Sequence, residues 1–310
     1  MKVKKIMPDK YQFIIKDEQG RLDILLASKI PNLSRTRIQE LLRDKNILVN
    51  DKVVKPSYKV QKNDLIVVTI PQLKPLAMIP EDIPLDIIYE DQDVLVVNKP
   101  QGMVVHPAAG HPDHTLVNAL LFHTKNLAQS PEGFRPGIVH RIDKDTSGLL
   151  MVAKNSFARE SLENQLAHKT NKRLYLAIVH GNFSEKSGVI NAPIGRDHFN
   201  RKKMAVVENG KEAVTHFTVL EQFHNYSLIE CRLETGRTHQ IRVHLSYIGH
   251  PVAGDPLYGP QHSLKGHGQF LHAQILGFKQ PHSGKWLEFK VEPPQIFLER
   301  LTELRKKVTK

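Results

Sequence analysis

The sequence predicts an α+β protein: a large domain on a mixed, largely antiparallel sheet with flanking helices, preceded by a small N-terminal α/β domain. Three observations lead there. Beyond residue 84, strand-like apolar runs far outnumber helix-like ones, and strands that follow strands with few crossover helices favour antiparallel pairing. Prolines at 71, 75, 80 and 84 punctuate a stretch with few helix or strand signals, which marks residues 71–84 as a linker between domains 1–70 and 85–310. The 310 residues, 40% hydrophobic and 25% charged, suffice for one large core and a smaller satellite.

In the N-terminal domain, Ile38, Leu41 and Leu42 form an i, i+3, i+4 apolar stripe, and Thr36 with Gln39 has capping-box spacing, so a short helix begins near residue 35. ILVNDKVV follows as two brief apolar runs about an Asn50-Asp51 turn, and LIVVTI follows an Asn63-Asp64 turn. The unit reads as a small helix pair leading into a β-hairpin. After the linker, IIYE, VLVVNK, GLLMVAK, RLYLAIVHG, AVTHFTVLEQF and YSLIECRLE read as strands. Three helices are expected, in TLVNALLFH, SFARESLENQLAHK and THQIRVHLSYIG, the last closed by Gly249 at its C′ position.

The net charge is +12, of which residues 1–80 carry +8. A positive field concentrated on a small domain points to a phosphate-rich partner. No apolar run approaches the roughly 18 residues of a membrane helix. The basic start MKVKKIMPDKYQ lacks the apolar segment of a signal peptide, and the single cysteine, Cys231, excludes an internal disulfide. A soluble, cytoplasmic, monomeric protein is expected.

Four segments could carry chemistry. HRIDKDTSG places His140, Arg141, Asp143 and Asp145 in a polar connection before an apolar run; Asp143 reads as a nucleophile or base, or the segment reads as an ordinary turn. In LETGRTHQIRVH, Arg237, His239 and Arg242 cluster where a helix starts and favours an anion, or else they are screened surface charges. Tyr175 stands within a strand, where packing is the commoner use of an aromatic. Arg196, Arg201, Lys202 and Lys203 form a polar connection suited to phosphates, or a solvated face. Seventeen histidines invite a metal reading, above all His106, His111 and His114, but no HExxH or comparable pattern occurs, and no Walker or Rossmann loop is present. No metal and no cofactor are expected.

These motifs resemble the RluA/RluD-type RNA pseudouridine synthases over nearly the whole chain. HRIDKDTSGLLMVAK is similar to the motif around that family's catalytic aspartate, LETGRTHQIRVH to its GRTHQIR motif and KRLYLAIVHG to its tyrosine motif; VLVVNKPQGMVVHP and GHPVAGDPLYG match further blocks. Residues about 21–70 resemble the RNA-binding module named after small-subunit ribosomal protein S-four, and HPAAGHPDHTLVNALL leans towards the RluD branch. The resemblance implies that Asp143 is the catalytic aspartate, Tyr175 the active-site tyrosine and Arg242 the aspartate's basic partner. It implies large-subunit ribosomal RNA as substrate, and Arg35, Arg37, His140, Arg141, Arg196, Arg201, Lys202, Arg237 and His239 are the residues expected to bind it.

The implied chemistry fits these residue types. Breaking the C1′–N1 bond of uridine and rejoining the uracil through C5 requires no redox partner, only an ionised carboxylate acting as nucleophile or base. Arg242 would keep that carboxylate charged in a cleft. Tyr175 would stack on the uracil, a contact of roughly 1–3 kcal/mol per base, or help remove the C5 proton, once the uridine has left its own stack. Two alternatives stay open: a non-catalytic ribosomal RNA-binding or assembly protein, which needs neither Asp143 nor Tyr175, and a metal-dependent RNA hydrolase built on the histidines. The chain departs from the family pattern at Ile142, where leucine is usual, at Asn46, Asp51 and Asn63, where glycines are common, and at Gln269, where an arginine is often found.

Overall fold

A computed structural model of the chain describes residues 4–7, 10–30, 33, 35–70, 78–108, 110–129, 135–197, 199–200 and 202–308. It divides into two compact units, Met1–Lys74 and Pro75–Lys310. Of the expected linker, residues 71–77 lie outside the described residues, and residues 78–85 carry neither helix nor strand.

The first unit contains β1 (Lys4–Met7), β2 (Lys10–Ile14), α1 (Leu22–Lys29), α2 (Arg35–Arg43), β3 (Ile47–Val49), β4 (Lys52–Val53) and β5 (Leu65–Thr69). The strands form one antiparallel sheet in the order β1-β2-β5-β3-β4. Leu22 and Leu26 from α1 and Ile38, Leu41 and Leu42 from α2 are buried against Phe13, Ile47, Ile66 and Val68. The expected Thr36–Gln39 capping box does not form, because the helix already runs at Arg35 and Thr36 lies inside it. Gln39 instead donates to Asp23, a fully buried carboxylate that also accepts from Arg21 and Arg35. Burial alone would raise its pKa; the three donors overcome that and hold it well below the carboxylate range. Asp51 and Asn63 adopt left-handed backbone, φ 58° and 71°, as turns that accept glycine require. At the third departure Lys45, not Asn46, takes the left-handed position.

The second unit adds β6 (Asp86–Glu90), β7 (Val94–Lys99), α3 (Leu116–His123), β8 (Ser147–Ala153), α4 (Ser156–Ala167), β9 (Lys172–His180), β10 (Ser187–Asn191), β11 (Ile194–Arg196), β12 (Met204–Val206), β13 (Val214–Gln222), β14 (Tyr226–Leu233), α5 (Gln240–Tyr247), β15 (Leu271–Lys279), β16 (Trp286–Lys290) and α6 (Gln295–Val308). The main sheet runs β10-β13-β14-β9-β15-β8-β7-β6, with β16 also on β15. Its pairs are antiparallel except β8 with β15, so the sheet is mixed and largely antiparallel as the sequence predicts. Gly148 marks that parallel junction: at φ 110°, a Cβ there would stand 2.2 Å from the Ala273 carbonyl oxygen.

Alternating strand residues bury both faces. Leu95, Val97, Leu150, Val152, Ala177 and Val179 pack with α3 and α5 on one side; Val94, Val96, Leu149 and Met151 pack with α4 on the other, where Leu176 and Ile178 meet α6. The helix α6 and the strands β10, β11, β12, β15 and β16 are additions to the sequence-based expectation. Gly249, at φ 85°, follows the C-cap of α5 as expected. Among the described residues no helix is long and apolar enough to cross a membrane.

Candidate active site

The connection entering β8 carries Asp143, and it is pinned from outside the cleft. Lys99 Nζ donates to the Lys144 carbonyl at 3.0 Å and to the Pro100 and Met103 carbonyls, and the Gly102 amide reaches the same Lys144 oxygen. Gln101 donates to the Asp145 carbonyl, and Gln269 Nε2 donates to Thr146 Oγ1, each at 3.0 Å. The Thr146 amide closes the turn on the Asp143 carbonyl at 3.1 Å. Gln269 therefore supplies, as a neutral amide, a donor that holds the loop.

With its backbone held, the Asp143 side chain turns into a cleft of about 620 Å³. Arg242 Nη1, from α5, donates to Asp143 Oδ2 at 2.9 Å. The same guanidinium gives Nε and Nη2 to the two oxygens of Asp255, at 2.7 and 2.8 Å, and Asp255 also accepts from the amides of Leu257 and Tyr258. Burial would depress the Arg242 pKa, but the two carboxylates raise it; burial would raise that of Asp255, and Arg242 lowers it. Both groups stay charged in a site where a lone ion would not.

Tyr175, on β9, lines the same cleft and is 6% exposed. Burial pushes its phenol pKa up and Asp143 adds to that, while Arg173 opposes, so the hydroxyl keeps its proton at neutral pH. His239 stands at the N-cap of α5 with left-handed backbone, φ 57°. Its Nδ1 lies 2.9 Å from the Tyr258 hydroxyl, which accepts the Met204 amide at 2.8 Å. The other ring nitrogen of His239, Nε2, lies 3.9 Å from Asp143 Oδ1. Burial holds His239 below its ordinary pKa, against the pull of Asp143.

Of the residues expected on RNA, His140, Arg141, Arg237 and His239 line the cleft with the three expected catalytic residues. His140 is there as a neutral ring: Nε2 accepts the Met151 amide of β8 at 3.1 Å, and burial lowers its pKa to about 3. It anchors a strand and offers no cation to a phosphate. Arg237 donates from Nε to the Glu212 carbonyl. Arg196 ends β11 and Lys202 lies in the connection to β12, a hairpin that Tyr258 ties to α5, and neither lines the cleft; Arg201 lies outside the described residues. Arg35 and Arg37 belong to the first unit, where they pair with Asp23 and Glu40. Among the described residues no three potential metal ligands come together.

Sequence reasoning misses Asp255, Lys99 and Arg173. Asp255 is the one acid in GHPVAGDPLYG, and an arginine buried against Asp143 needs a second carboxylate; that was its available signal. Lys99 before a proline reads as surface, yet it is fully buried, with burial lowering its pKa to about 7 against the charges of Asp145 and Asp143.

Residues 93–247 match the RNA pseudouridylate synthase family model, and residues 20–66 match the S4 domain model. A Bacillus subtilis protein described as an RNA pseudouridine synthase is 54% identical over 92% of this chain and 94% of its own length. The ribosomal large subunit pseudouridine synthase D of Zymomonas mobilis is 50% identical over 89% of this chain and 90% of its own. Among solved structures, human RNA pseudouridylate synthase domain containing 1 superimposes with a TM-score of 0.57 at 27% identity, covering 73% of this chain and 96% of that one. The aspartate-bearing loop, the tyrosine strand and the arginine helix all lie in or at the cleft of the matched region, and the chain belongs to the RNA pseudouridylate synthase family, whose members isomerise uridine in RNA.

Proposed function

We propose that this enzyme converts uridines of large-subunit ribosomal RNA to pseudouridine, with Asp143 as the reacting carboxylate, Arg242 as its charged partner and Tyr175 as the platform for the uracil. The observation that carries the reading is the Asp143–Arg242 ion pair, open to a cleft on one side and braced by Asp255 on the other. The isomerisation balances without a second reactant: the C1′–N1 bond breaks, C1′ bonds to C5, and the C5 proton is exchanged for one on N1. Asp143 acts as nucleophile or base in that sequence, and a phenol that keeps its proton stacks without competing for the carboxylate.

The uracil reaches Tyr175 only outside its helix, so the target uridine is rotated out of its stack, at a cost of a few kcal/mol. The β11–β12 hairpin supports that step. It carries Arg196, Lys202 and Lys203 around Phe199, whose ring is fully exposed and suited to stacking on an opened base. Arg141 and Arg237 at the cleft, and the basic first unit, hold the RNA backbone. The protein is read as a monomer acting in the cytoplasm, where ribosomes are. The Zymomonas mobilis relative's name supports the choice of large-subunit RNA. Non-catalytic RNA binding leaves the buried triad of Asp143, Arg242 and Asp255 without a purpose.

The test is carbodiimide mapping of pseudouridine in ribosomal RNA from cells with and without the gene. One or more large-subunit positions should lose the modification and regain it with the wild-type gene but not with Asp143→Asn. An unchanged map would remove ribosomal RNA as the substrate.

A further inference from the structure

Arg173 is 6% exposed, and its guanidinium makes no hydrogen bond or ion pair among the described residues; Nε is buried without a partner. A desolvated cation with no counter-charge is strongly unfavourable unless something else completes it. It stands two residues before Tyr175 on β9, on the same side of the strand, and both line the cleft. Gly236, at the turn into α5, leaves room beside it: a Cβ there would stand 2.9 Å from Nη1. Of the acids that line the cleft, Glu163 is paired with Arg159 at 2.8 Å and Asp143 with Arg242 at 2.9 Å. Burial depresses the Arg173 pKa, and Tyr175 is the group that opposes, with no carboxylate contributing.

We propose that Arg173 is a phosphate-binding residue, completed by a phosphodiester of the bound RNA next to the target uridine. Two strand residues span roughly 7 Å, the scale on which a nucleotide's phosphate stands from its base. A uracil on Tyr175 thus brings a backbone phosphate to Arg173, and the planar fork can take two of its oxygens. This rests on the reading of the cleft as a uridine site, and its test is built to fail separately.

In the first arm, inorganic phosphate is titrated against chloride at matched ionic strength, and melting temperature is read for wild type and Arg173→Gln. Phosphate should raise the wild-type midpoint by more than that of the variant, since a ligand stabilises only the state that binds it; equal rises overturn the proposal. This arm holds even for a protein that modifies no RNA. In the second arm, ribosomal RNA fragments carrying one uncharged methylphosphonate linkage at a time are bound to each protein. One linkage beside the target should weaken wild-type binding at least tenfold and Arg173→Gln binding less than twofold. Linkages that cost both proteins alike would make Arg173 a packing residue for Tyr175. Should Arg173→Gln fold poorly, Arg173→Lys carries the same comparison: charge without the fork should show a smaller linkage cost than wild type, and an equal cost overturns the assignment.

Discussion

Arg242 Nη1 and Asp143 Oδ2 lie 2.9 Å apart although 99 positions separate the two residues in the chain. The contact exists because β8 and α5 end at the same cleft and because Asp255 holds the other edge of the guanidinium. One cation shared between two carboxylates cannot swing away from Asp143 without breaking two buried bonds. The position of the Asp143 carboxylate is thereby tied to Asp255, a buried residue that does not line the cleft.

Asp143→Asn should lower the isomerisation rate by at least ~10²-fold while changing RNA affinity only a few-fold. The amide keeps the shape and one hydrogen bond to Arg242 but can neither attack nor take a proton. Single-turnover pseudouridine formation, measured beside filter binding, checks this; turnover near the wild-type rate would return the loop to a plain turn.

Arg242→Met should cost far more activity than Arg237→Met, because Arg242 is buried against Asp143 and Arg237 is a solvent-exposed residue bonded to a backbone carbonyl. Asp255→Asn should act like a weaker Arg242 variant: kcat falls, KM moves little, and stability drops by about 3 kcal/mol, since a buried cation loses one of two charges. A pure KM effect in Asp255→Asn would show that Asp255 contacts RNA and does not position Arg242.

The gathering of Asp143, Tyr175 and Arg242 at one cleft was legible in the sequence because each sits in a contiguous motif, HRID, KRLY and THQIR, and the motifs flank strong strand and helix patterns. Their supports were not. Lys99 and Asp255 bond across 45 and 13 positions, to the Lys144 carbonyl and to Arg242, and Arg173 finds no hydrogen-bond partner among the described residues, so no local pattern marks them. In the same way β15 hides as a strand: His272 and Gln274 interrupt its apolar run, and His272 is tolerated inside because its ring meets Ser147 Oγ at 2.9 Å. The helix α6 does carry a stripe of Phe297, Leu301 and Leu304, legible in principle. The strands β11 and β12, three residues each, are too short for any periodicity to show.

Stability should fall as pH drops from 6.5 towards 4. Burial lowers the pKa of His140 to about 3 and those of His106 and His272 to about 4, from 6.5. Between these values the unfolded chain binds protons that the folded chain refuses, so stability present above 6.5 is lost as pH falls. Protonated His140 would also lose the Met151 bond. His140→Gln, whose amide oxygen can accept that bond, should flatten the loss by up to one proton's worth. Urea midpoints at pH 7, 6, 5 and 4 measure it; parallel curves for both proteins would show that His140 does not titrate.

Removing residues 1–74 should weaken binding to long ribosomal RNA and flatten its salt dependence while leaving the chemical step on bound RNA unchanged. The first unit has its own core, built on Phe13, Leu26, Leu41 and Ile66, and none of Asp143, Tyr175 or Arg242 lies in it. Each phosphate that the truncated protein no longer neutralises should reduce the slope of log K against log salt by roughly 0.7 for single-stranded or 0.9 for duplex RNA-like sites. Arg35 will contribute less than its charge suggests, because it completes the buried Asp23; Arg35→Met should therefore destabilise the unit as well as weaken binding. Binding isotherms from 50 to 300 mM salt (roughly the range over which such slopes are read) give the slope, and single-turnover rates at saturating enzyme give the chemistry. A large drop in the saturated rate of the folded truncated protein would mean that the first unit shapes the active site as well as gripping RNA.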